Sequence, residues 1–337
     1  KTGWFEAPAE PPWLLTKESP AIVLFYSFKG GVGRSTALAA TALNLAAAGE
    51  RVVVVDGDLD APGVGSLLAG HDGVVAQWGL VDYLLEEPIL RESAGDGAAA
   101  PDLDDYYHRC PPSLVSGAGE ILVVPSGRFD GPGYLDKLAR LDYGHHRDDG
   151  EHPFVALLHA LRKNLLPQWI LVDARAGLGD VSGFLTGGVC HLHVLLGTLA
   201  ESSWQGLELV LDRLGADRVR QGEPQAAATL VAAMVPRSQE AVYRDAVARF
   251  TDRARDVFSE RYYAKPDAEL AETFWTLDDL ESGDAPHVPV VLPYDERLAV
   301  FQDLSEIADP VLRGEETYRK LTDHVRARLG APRRSST

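Results

Sequence analysis

Cysteine and long apolar runs are both scarce in this chain of 337 residues. The two cysteines, Cys110 and Cys190, are isolated, so they form neither a disulfide framework nor a metal-binding spacing. This usage is typical of proteins in a reducing cytoplasm. The best apolar stretch, residues 184–199, is interrupted by His191 and His193 and does not reach the length of a membrane span. The sequence therefore predicts a cytoplasmic protein and excludes a disulfide-stapled secreted scaffold.

Basic residues are also in short supply. The chain has 32 Lys and Arg residues against 50 Asp and Glu residues, which gives a formal net charge of −18 at pH 7. Such a charge opposes an electrostatic grip on nucleic acid or on an anionic membrane, unless a local basic patch supplies it. We therefore expect neither nucleic acid nor membrane as a partner. With 45% hydrophobic residues, the chain can form one large α/β domain or two smaller ones.

A glycine-rich loop lies between a predicted strand, residues 21–26, and a predicted helix, residues 37–48. Strand, glycine loop and helix together are the context that a phosphate-binding loop requires. The glycines allow backbone N–H groups to turn onto phosphate oxygens, and the helix adds its positive N-terminal end. The residues predicted to bind phosphate are Lys29, Gly30, Gly31, Val32, Gly33, Arg34, Ser35 and Thr36.

The loop departs from the common pattern G-x-x-x-x-G-K-[ST] at two positions. Phe28 stands where that pattern has its first glycine, and Arg34 stands where it has lysine. The run Lys29-Gly30-Gly31 resembles instead the deviant Walker A loop, K-G-G-x-G-K-[ST], of the ParA/MinD P-loop NTPases. The resemblance implies a three-layer α/β sandwich of the SIMIBI type, in which helices flank a mostly parallel sheet. It also implies an ATP-bound homodimer, in which Lys29 reaches the phosphates of the partner subunit.

Two aspartates follow the next predicted strand, residues 51–55. The strand is a solid β-branched run, which is typical of a strand buried on both faces of a parallel sheet. Asp56 and Asp58 come directly after it, where α/β sheets bind ligands. A solvated turn capped by aspartates is the alternative for this stretch alone. The resemblance implies that Asp56 helps to order Mg²⁺ through water, and that Asp58 orients the attacking water.

A third aspartate, Asp173, ends the apolar run 169–173. This Walker B pattern holds a carboxylate near the Mg²⁺ that bridges the β- and γ-phosphates. With Ser35 and Asp56, it completes the metal-binding set that the resemblance implies. The following turn resembles the family's D-x-P-[AP]-G switch, but Arg175 replaces the proline. Gly177 is expected to donate its N–H to the γ-phosphate, and Arg175 to form either a salt bridge or an extra phosphate contact.

The adenine side of the site departs further from the family. Many members have an asparagine at the end of the strand that corresponds to residues 226–235, and this chain has Met234 there. The resemblance therefore implies that backbone groups near Pro236 and Tyr294 contact the base. Arg34 is expected to take the place of the lysine on the β- and γ-phosphates, where it keeps the charge but differs in shape.

The remaining pattern predicts a single domain over residues 21–329. Residues 1–20 form a Pro-rich leader, which either lies over the domain through Trp4 and Trp13 or links it to an upstream domain. Residues 86–115 are expected to be a flexible surface insertion, and 330–337 a disordered tail or linker. The other predicted strands are 120–125, 191–196 and 288–292. The main further helices are 64–85, 154–165, 204–214 and 239–261, and residues 302–329 form one or two closing helices. The apolar stripe of the last helix predicts core packing rather than a membrane-binding surface.

Taken together, these patterns and the resemblance predict an ATP-binding and slowly ATP-hydrolysing switch. It would be a Mg²⁺-dependent hydrolase that dimerises around the nucleotide and signals to a protein partner or a fused effector domain. The residues do not distinguish ATP from GTP, and it is the resemblance that implies ATP. Lys29, Arg34 and Asp58 are the candidate catalytic residues. The alternative is a catalytically weak nucleotide-binding module of a larger multidomain signalling or defence protein.

Overall fold

An eight-stranded β-sheet forms the centre of the structure. The computed structural model describes residues 4, 10–70, 74–94, 101–129, 132–141, 152–265 and 273–330. The strands are β1 (Ala21–Ser27), β2 (Arg51–Gly57), β3 (His108–Arg109), β4 (Glu120–Val124), β5 (Trp169–Ala174), β6 (Leu192–Gly197), β7 (Ala228–Val235) and β8 (Val290–Pro293). They lie in the order β3-β4-β2-β5-β1-β6-β7-β8, and only the pairing of β3 with β4 is antiparallel. This sheet confirms the predicted α/β fold class.

Helices cover both faces of the sheet, so that it is the middle layer of three. They are α1 (Arg34–Ala47), α2 (Val64–Ala69), α3 (Leu80–Ala94), α4 (Pro132–Arg140), α5 (Pro153–Leu165), α6 (Asp180–Phe184), α7 (Glu201–Leu211), α8 (Asp217–Arg220), α9 (Glu240–Arg261), α10 (Arg297–Val300), α11 (Ser305–Ile307) and α12 (Glu316–Gly330). Short 3₁₀ turns lie at Leu103–Asp105 and Leu277–Glu281, and π-helical turns at Leu185–Val189, Asp212–Ala216 and Ala308–Arg313.

The core consists of two apolar layers, one on each face of the sheet. Successive side chains of a strand point to opposite faces, and β1 shows the consequence. Val23 and Phe25 pack into the layer that contains α1 and α12, while Leu24 and Tyr26 pack into the layer that contains α3, α5, α7 and α9. All seven residues of β1 are buried. Burial on both faces explains why the central strands are continuous apolar runs rather than alternating ones.

Residues 86–115, which were expected to be a flexible surface insertion, contain regular secondary structure and buried side chains. Helix α3 extends into this segment as far as Ala94, and His108–Arg109 adds an antiparallel strand to the edge of the sheet. Buried apolar side chains follow on both sides of that strand: Leu103, Tyr106, Cys110 and Leu114. Residues 95–100 lie outside the described part of the chain. The Gly- and Asp-rich composition of this region concealed the spaced apolar residues that pack it.

The two ends of the domain contact the core through aromatic and apolar side chains. Trp13 is buried, donates its indole N–H to the carbonyl of Pro20 at 2.8 Å, and accepts a hydrogen bond at its own carbonyl from His191 Nε2 at 2.9 Å. In α12 the buried residues include Tyr318, Leu321 and Val325, so the predicted apolar stripe faces the core. None of the helices in the described ranges is long and apolar enough to span a bilayer.

The order of the central strands determines which loops meet at the carboxyl edge of the sheet. β5 lies between β2 and β1, so the turns after these three strands are neighbours. Asp173 is in register with Asp56 of β2 on one side and with Phe25 of β1 on the other. The three predicted motifs therefore converge on one edge, as expected for ligand sites in open α/β sheets.

Helix α7 offers a matched test of how the helical layer is held. Leu207 is fully buried against the sheet, and Leu209, two residues later, is 50% exposed. We expect Leu207→Ala to lower the free energy of unfolding by about 2–5 kcal/mol, because it removes buried methyl groups and leaves a cavity. The same change at Leu209 should cost about 0.5 kcal/mol or less. Urea denaturation measures both, and equal losses would contradict this packing.

Candidate functional site

The predicted phosphate-binding loop joins the carboxyl end of β1 to the first turn of α1. Gly31 and Gly33 have φ angles of 74° and 85°, in the left-handed region that glycine adopts without strain. Gly33 directly precedes the first helical residue. Lys29, Gly30 and Gly31 are exposed. The glycine loop and the positive end of a fourteen-residue helix are thus present together at the edge of the sheet.

Arg34 turns away from the open side of this loop and into the molecule. Its Nε donates to Asp173 Oδ1 at 2.5 Å, and its Nη2 donates to Asp58 Oδ2 at 2.9 Å. The residue is only 8% exposed. Burial lowers the pKa of Arg34, but the charges and hydrogen bonds of Asp173 and Asp58 raise it above its ordinary value. The guanidinium is therefore a permanent cation between two of the three predicted site aspartates.

Ser35 completes the connection between the glycine loop and β5. Its hydroxyl donates to Asp173 Oδ2 at 2.5 Å. Asp173 is 1% exposed, and both of its oxygens accept hydrogen bonds from adjacent residues at the start of α1. The Walker A and Walker B elements predicted from the sequence are therefore in direct contact.

Asp56 and Asp58 belong to a turn that wraps around their own carboxylates. Asp56 accepts hydrogen bonds from the backbone N–H groups of Gly63 at 3.1 Å and Gly65 at 3.0 Å, and a longer one of 3.3 Å from Asp58. Asp58 accepts one from Ala61 N–H at 3.1 Å. A solvated turn is excluded for these two carboxylates, because Asp56 is 1% exposed and Asp58 is 6% exposed. Burial, and next the nearby charge of Asp173, raise the pKa of Asp56 to about 7.

The switch-like turn after β5 is held from several directions. Gly177 has a φ of 77°, its N–H donates to the carbonyl of Ser27 at 3.4 Å, and its carbonyl accepts from the Tyr26 hydroxyl at 3.1 Å. The indole N–H of Trp4 donates to the carbonyl of Gly179 at 2.8 Å. These contacts connect the turn to both β1 and the N-terminal leader.

Arg175, in the position of the family's proline, forms a salt bridge. Its Nη1 lies 2.6 Å from Asp60 Oδ2, and both side chains are about half exposed. Its carbonyl accepts a hydrogen bond from the Ser182 hydroxyl at 2.7 Å. Of the two roles considered for Arg175, this structure shows the ion pair. That pair joins the switch-like turn to the turn that follows β2.

Phe28 has a structural role that the sequence pattern did not reveal. Its ring packs against α7, and a Cβ atom added to Gly206 would lie 1.8 Å from Phe28 Cγ. Lys29 Nζ lies 5.3 Å from the centroid of the same ring. The aromatic residue that replaces the first Walker glycine is therefore matched by a glycine on the facing helix. Only the glycine at position 206, remote in sequence, could have signalled this contact.

The residues predicted to lie near the base are found at the same edge of the sheet, two and three strands from β1. Met234 has a φ of 60° at an irregularity in the β7–β8 pairing, and its side chain is 42% exposed. Tyr294 donates its N–H to the carbonyl of Val235 at 2.8 Å and is 41% exposed. Pro236 directly follows the end of β7 and is half-buried. Contact of Pro236 and Tyr294 with a base stays a prediction.

The chemistry of the residues around Asp173 fits a divalent cation such as Mg²⁺. Ser35, Asp56 and Asp173 offer only oxygen donors, which hard cations prefer. Within the described ranges there is no group of three or more His, Cys, Asp or Glu side chains placed to chelate a metal directly.

One protein-family model matches the part of the chain that contains the first two of these motifs. Residues 19–85 match the ParA family model, described as the NUBPL iron-transfer P-loop NTPase. That segment contains β1, the glycine loop, Asp56 and Asp58. No curated protein matches the chain significantly in sequence.

Solved structures extend the similarity to the whole fold. The ParA family ATPase of Chlorobium tepidum TLS has a TM-score of 0.53 and 16% identity, over 91% of this chain and 97% of that one. MinD of Pyrococcus horikoshii OT3, complexed with Mg-ADP, has a TM-score of 0.52 and 20% identity, over 91% and 96%. The pNOB8 ParA bound to nonspecific DNA has a TM-score of 0.48 and 14% identity, over 92% and 99%. The first two show that this chain has the ParA/MinD-like P-loop NTPase fold, which confirms the predicted resemblance.

The raised pKa of Asp56 predicts how stability changes with pH in the nucleotide-free protein. An ordinary carboxyl pKa is about 4, so between pH 4 and 7 the folded state holds a proton that the unfolded state has released. Ionisation of Asp56 therefore lowers the free energy of unfolding as the pH rises through this range, by an amount on the order of 1–4 kcal/mol. Asp56→Asn should remove this contribution.

Urea denaturation at pH 4.5 and 7.5 measures that difference. Asp60→Asn is the matched control, because Asp60 lies in the same turn but its side chain is half exposed. The pH dependence of the Asp60 variant should follow that of the wild type. An Asp56 variant with the same pH dependence as the wild type would contradict the assignment.

Proposed function

We propose that this chain, which has the fold of the ParA/MinD-like P-loop NTPases, is an ATP-binding switch that hydrolyses ATP slowly and dimerises around it. The observation that carries the proposal is the contact of Arg34 and Ser35 with Asp173. It joins a glycine loop at a helix N-terminus to a buried carboxylate on the neighbouring strand. A phosphate-binding loop and a metal-side carboxylate need this proximity in phosphoryl transfer.

The residues divide into those that bind phosphate and those that act on the metal side. The loop from Lys29 to Thr36, together with Gly177, would bind the phosphates, and Ser35, Asp56 and Asp173 would hold Mg²⁺. When bound, the ion neutralises charge on the β- and γ-phosphate oxygens. Asp58 would orient the attacking water. Arg34 would place a forked cation on the phosphates, where guanidinium groups form bidentate hydrogen bonds.

Dimerisation depends in this proposal on Lys29. Its exposed position at the tip of the loop is consistent with a reach across a subunit interface. The second subunit would supply its own Lys29 to the first, so that ATP is bound between two copies. A protein partner or a fused effector domain would respond to the dimer. The acidic net charge of −18 supports a protein rather than a nucleic acid or a membrane as that partner, and the predicted location is the cytoplasm.

A second function has one specific observation in its favour. Arg34 Nη2 is bonded to Asp58 Oδ2, the residue that we expect to orient water. If this pair persists when nucleotide is bound, Asp58 cannot act on water, and the chain is a nucleotide-binding regulatory module without useful hydrolysis. Single-turnover kinetics separate the two functions.

Hydrolysis is tested with the Asp58→Asn variant. We expect the single-turnover rate with radiolabelled ATP and Mg²⁺ to fall by about 100-fold or more, because a positioned general base contributes about 10²–10⁴-fold. Asp256→Asn is the matched control and should stay close to the wild-type rate, because Asp256 is an exposed aspartate of α9. If the wild type hydrolyses ATP no faster than Asp58→Asn, the regulatory module is the correct function.

Dimerisation is tested with Lys29→Gln. Sedimentation velocity should show the wild-type mass doubling with a non-hydrolysable ATP analogue and Mg²⁺, and the variant remaining monomeric. The variant should still bind nucleotide, since the backbone groups and Arg34 of its own subunit are intact. Lys17→Gln removes another exposed lysine, in the leader, and should dimerise like the wild type. A Lys29 variant that dimerises normally would remove the residue from its role across the interface.

A further inference from the structure

The carboxylates at the centre of the site are already satisfied by the chain itself. Asp56, Asp58 and Asp173 have six carboxylate oxygens, and each accepts at least one hydrogen bond. The donors are Asp58 N–H to Asp56 Oδ1, the N–H groups of Gly63 and Gly65 to Asp56 Oδ2, Ala61 N–H to Asp58 Oδ1, Arg34 Nη2 to Asp58 Oδ2, Arg34 Nε to Asp173 Oδ1, and the Ser35 hydroxyl to Asp173 Oδ2. A cation that approaches Asp58 or Asp173 therefore competes with the Arg34 guanidinium for the same oxygens.

Arg34 is the donor that brings positive charge. It contacts both Asp58 and Asp173, and its Nη2 lies 3.5 Å from the second oxygen of Asp173 as well. Planar guanidinium groups can bridge two carboxylates in this way, whereas the ammonium group of a lysine is a single point charge. Buried carboxylates without a cation would be costly, so the arrangement fixes Arg34 in this position while no phosphate is bound.

We propose that Arg34 is the resident counter-ion of these carboxylates in the nucleotide-free protein, and that a divalent cation binds there only together with nucleotide. The inference rests on the proposed function, because the phosphates are what would attract the guanidinium away from Asp58 and Asp173. The arginine at the last basic position of the loop thus has two alternative sets of anionic partners. Nucleotide binding would exchange one set for the other and free Asp173 for the metal ion.

Binding of Mn²⁺ alone tests this inference without any measurement of hydrolysis. Mn²⁺ takes the same oxygen ligands as Mg²⁺, and the loss of its free-ion EPR signal reports binding. We expect the nucleotide-free wild type to bind no Mn²⁺ at the site at about 1 mM, a concentration that detects millimolar affinity, because the guanidinium occupies the carboxylates. Arg34→Gln should bind one Mn²⁺ at least about tenfold more tightly than the wild type, because it exposes the carboxylates without a cation.

Arg175→Gln is the matched control for the change in net charge. Arg175 lies at the same edge of the sheet but pairs with the half-exposed Asp60. If removing any nearby positive charge strengthened Mn²⁺ binding, the Arg175 and Arg34 variants would bind alike, and the inference would be wrong. Wild-type protein that binds Mn²⁺ without nucleotide as tightly as Arg34→Gln would also overturn it.

The Mn²⁺ affinity of a second variant, Arg34→Lys, provides an alternative test. If Arg34→Gln does not fold, Arg34→Lys replaces it, and its Mn²⁺ affinity should lie above that of the wild type, because an ammonium group cannot pair as fully with both Asp58 and Asp173. An Arg34→Lys variant with wild-type Mn²⁺ affinity would contradict the inference.

In the presence of a non-hydrolysable ATP analogue, the wild type should bind one Mn²⁺. Failure to bind the analogue at all would refute the proposed function, while the nucleotide-free Mn²⁺ comparison would still decide the role of Arg34.

Discussion

The buried contact of Arg34 with Asp58 and Asp173 is the interaction on which the candidate site depends. It links the glycine loop after β1 to the carboxyl ends of β5 and, across β5, of β2. The guanidinium offsets part of the charge of Asp58 and Asp173, which are 6% and 1% exposed. Burial raises the pKa of Asp173 above its ordinary value although the charge and hydrogen bonds of Arg34 lower it, and burial with the charge of Asp173 raises the pKa of Asp56 to about 7. The strand order brings this arginine between Asp58 and Asp173, where its charge opposes the cost of burying them.

Much of this arrangement could be predicted from the sequence because local patterns determine it. The β-branched run at 51–55 and the apolar run at 169–173 predicted buried strands, and Asp56, Asp58 and Asp173 followed them directly. The partner of Arg34 could not be predicted in the same way. Its position in the loop indicated phosphate, but its contact with the carboxylates follows from β5 lying between β1 and β2, which is a property of the tertiary fold.

Two other features escaped prediction for related reasons. The edge strand His108–Arg109 is only two residues long, too short to show an alternating pattern, and its pairing depends on β4. Phe28 was recognised only as a departure from the Walker pattern. Its explanation lies in Gly206, whose missing side chain leaves the space that the ring occupies. In both cases the decisive partner is remote in sequence, so no local pattern could reveal it.

The turn after β5 shows how such remote partners compensate for a lost local constraint. A proline in the position of Arg175 would fix one backbone angle and rigidify the turn by itself. Here the turn is held instead by the ion pair with Asp60 and by hydrogen bonds from Tyr26 and Trp4 to the carbonyls of Gly177 and Gly179. This ion pair and these hydrogen bonds can break and re-form, whereas the constraint that a proline ring places on the backbone is permanent. Any movement of Gly177 toward a phosphate would therefore change contacts with β1, with the turn after β2 and with Trp4.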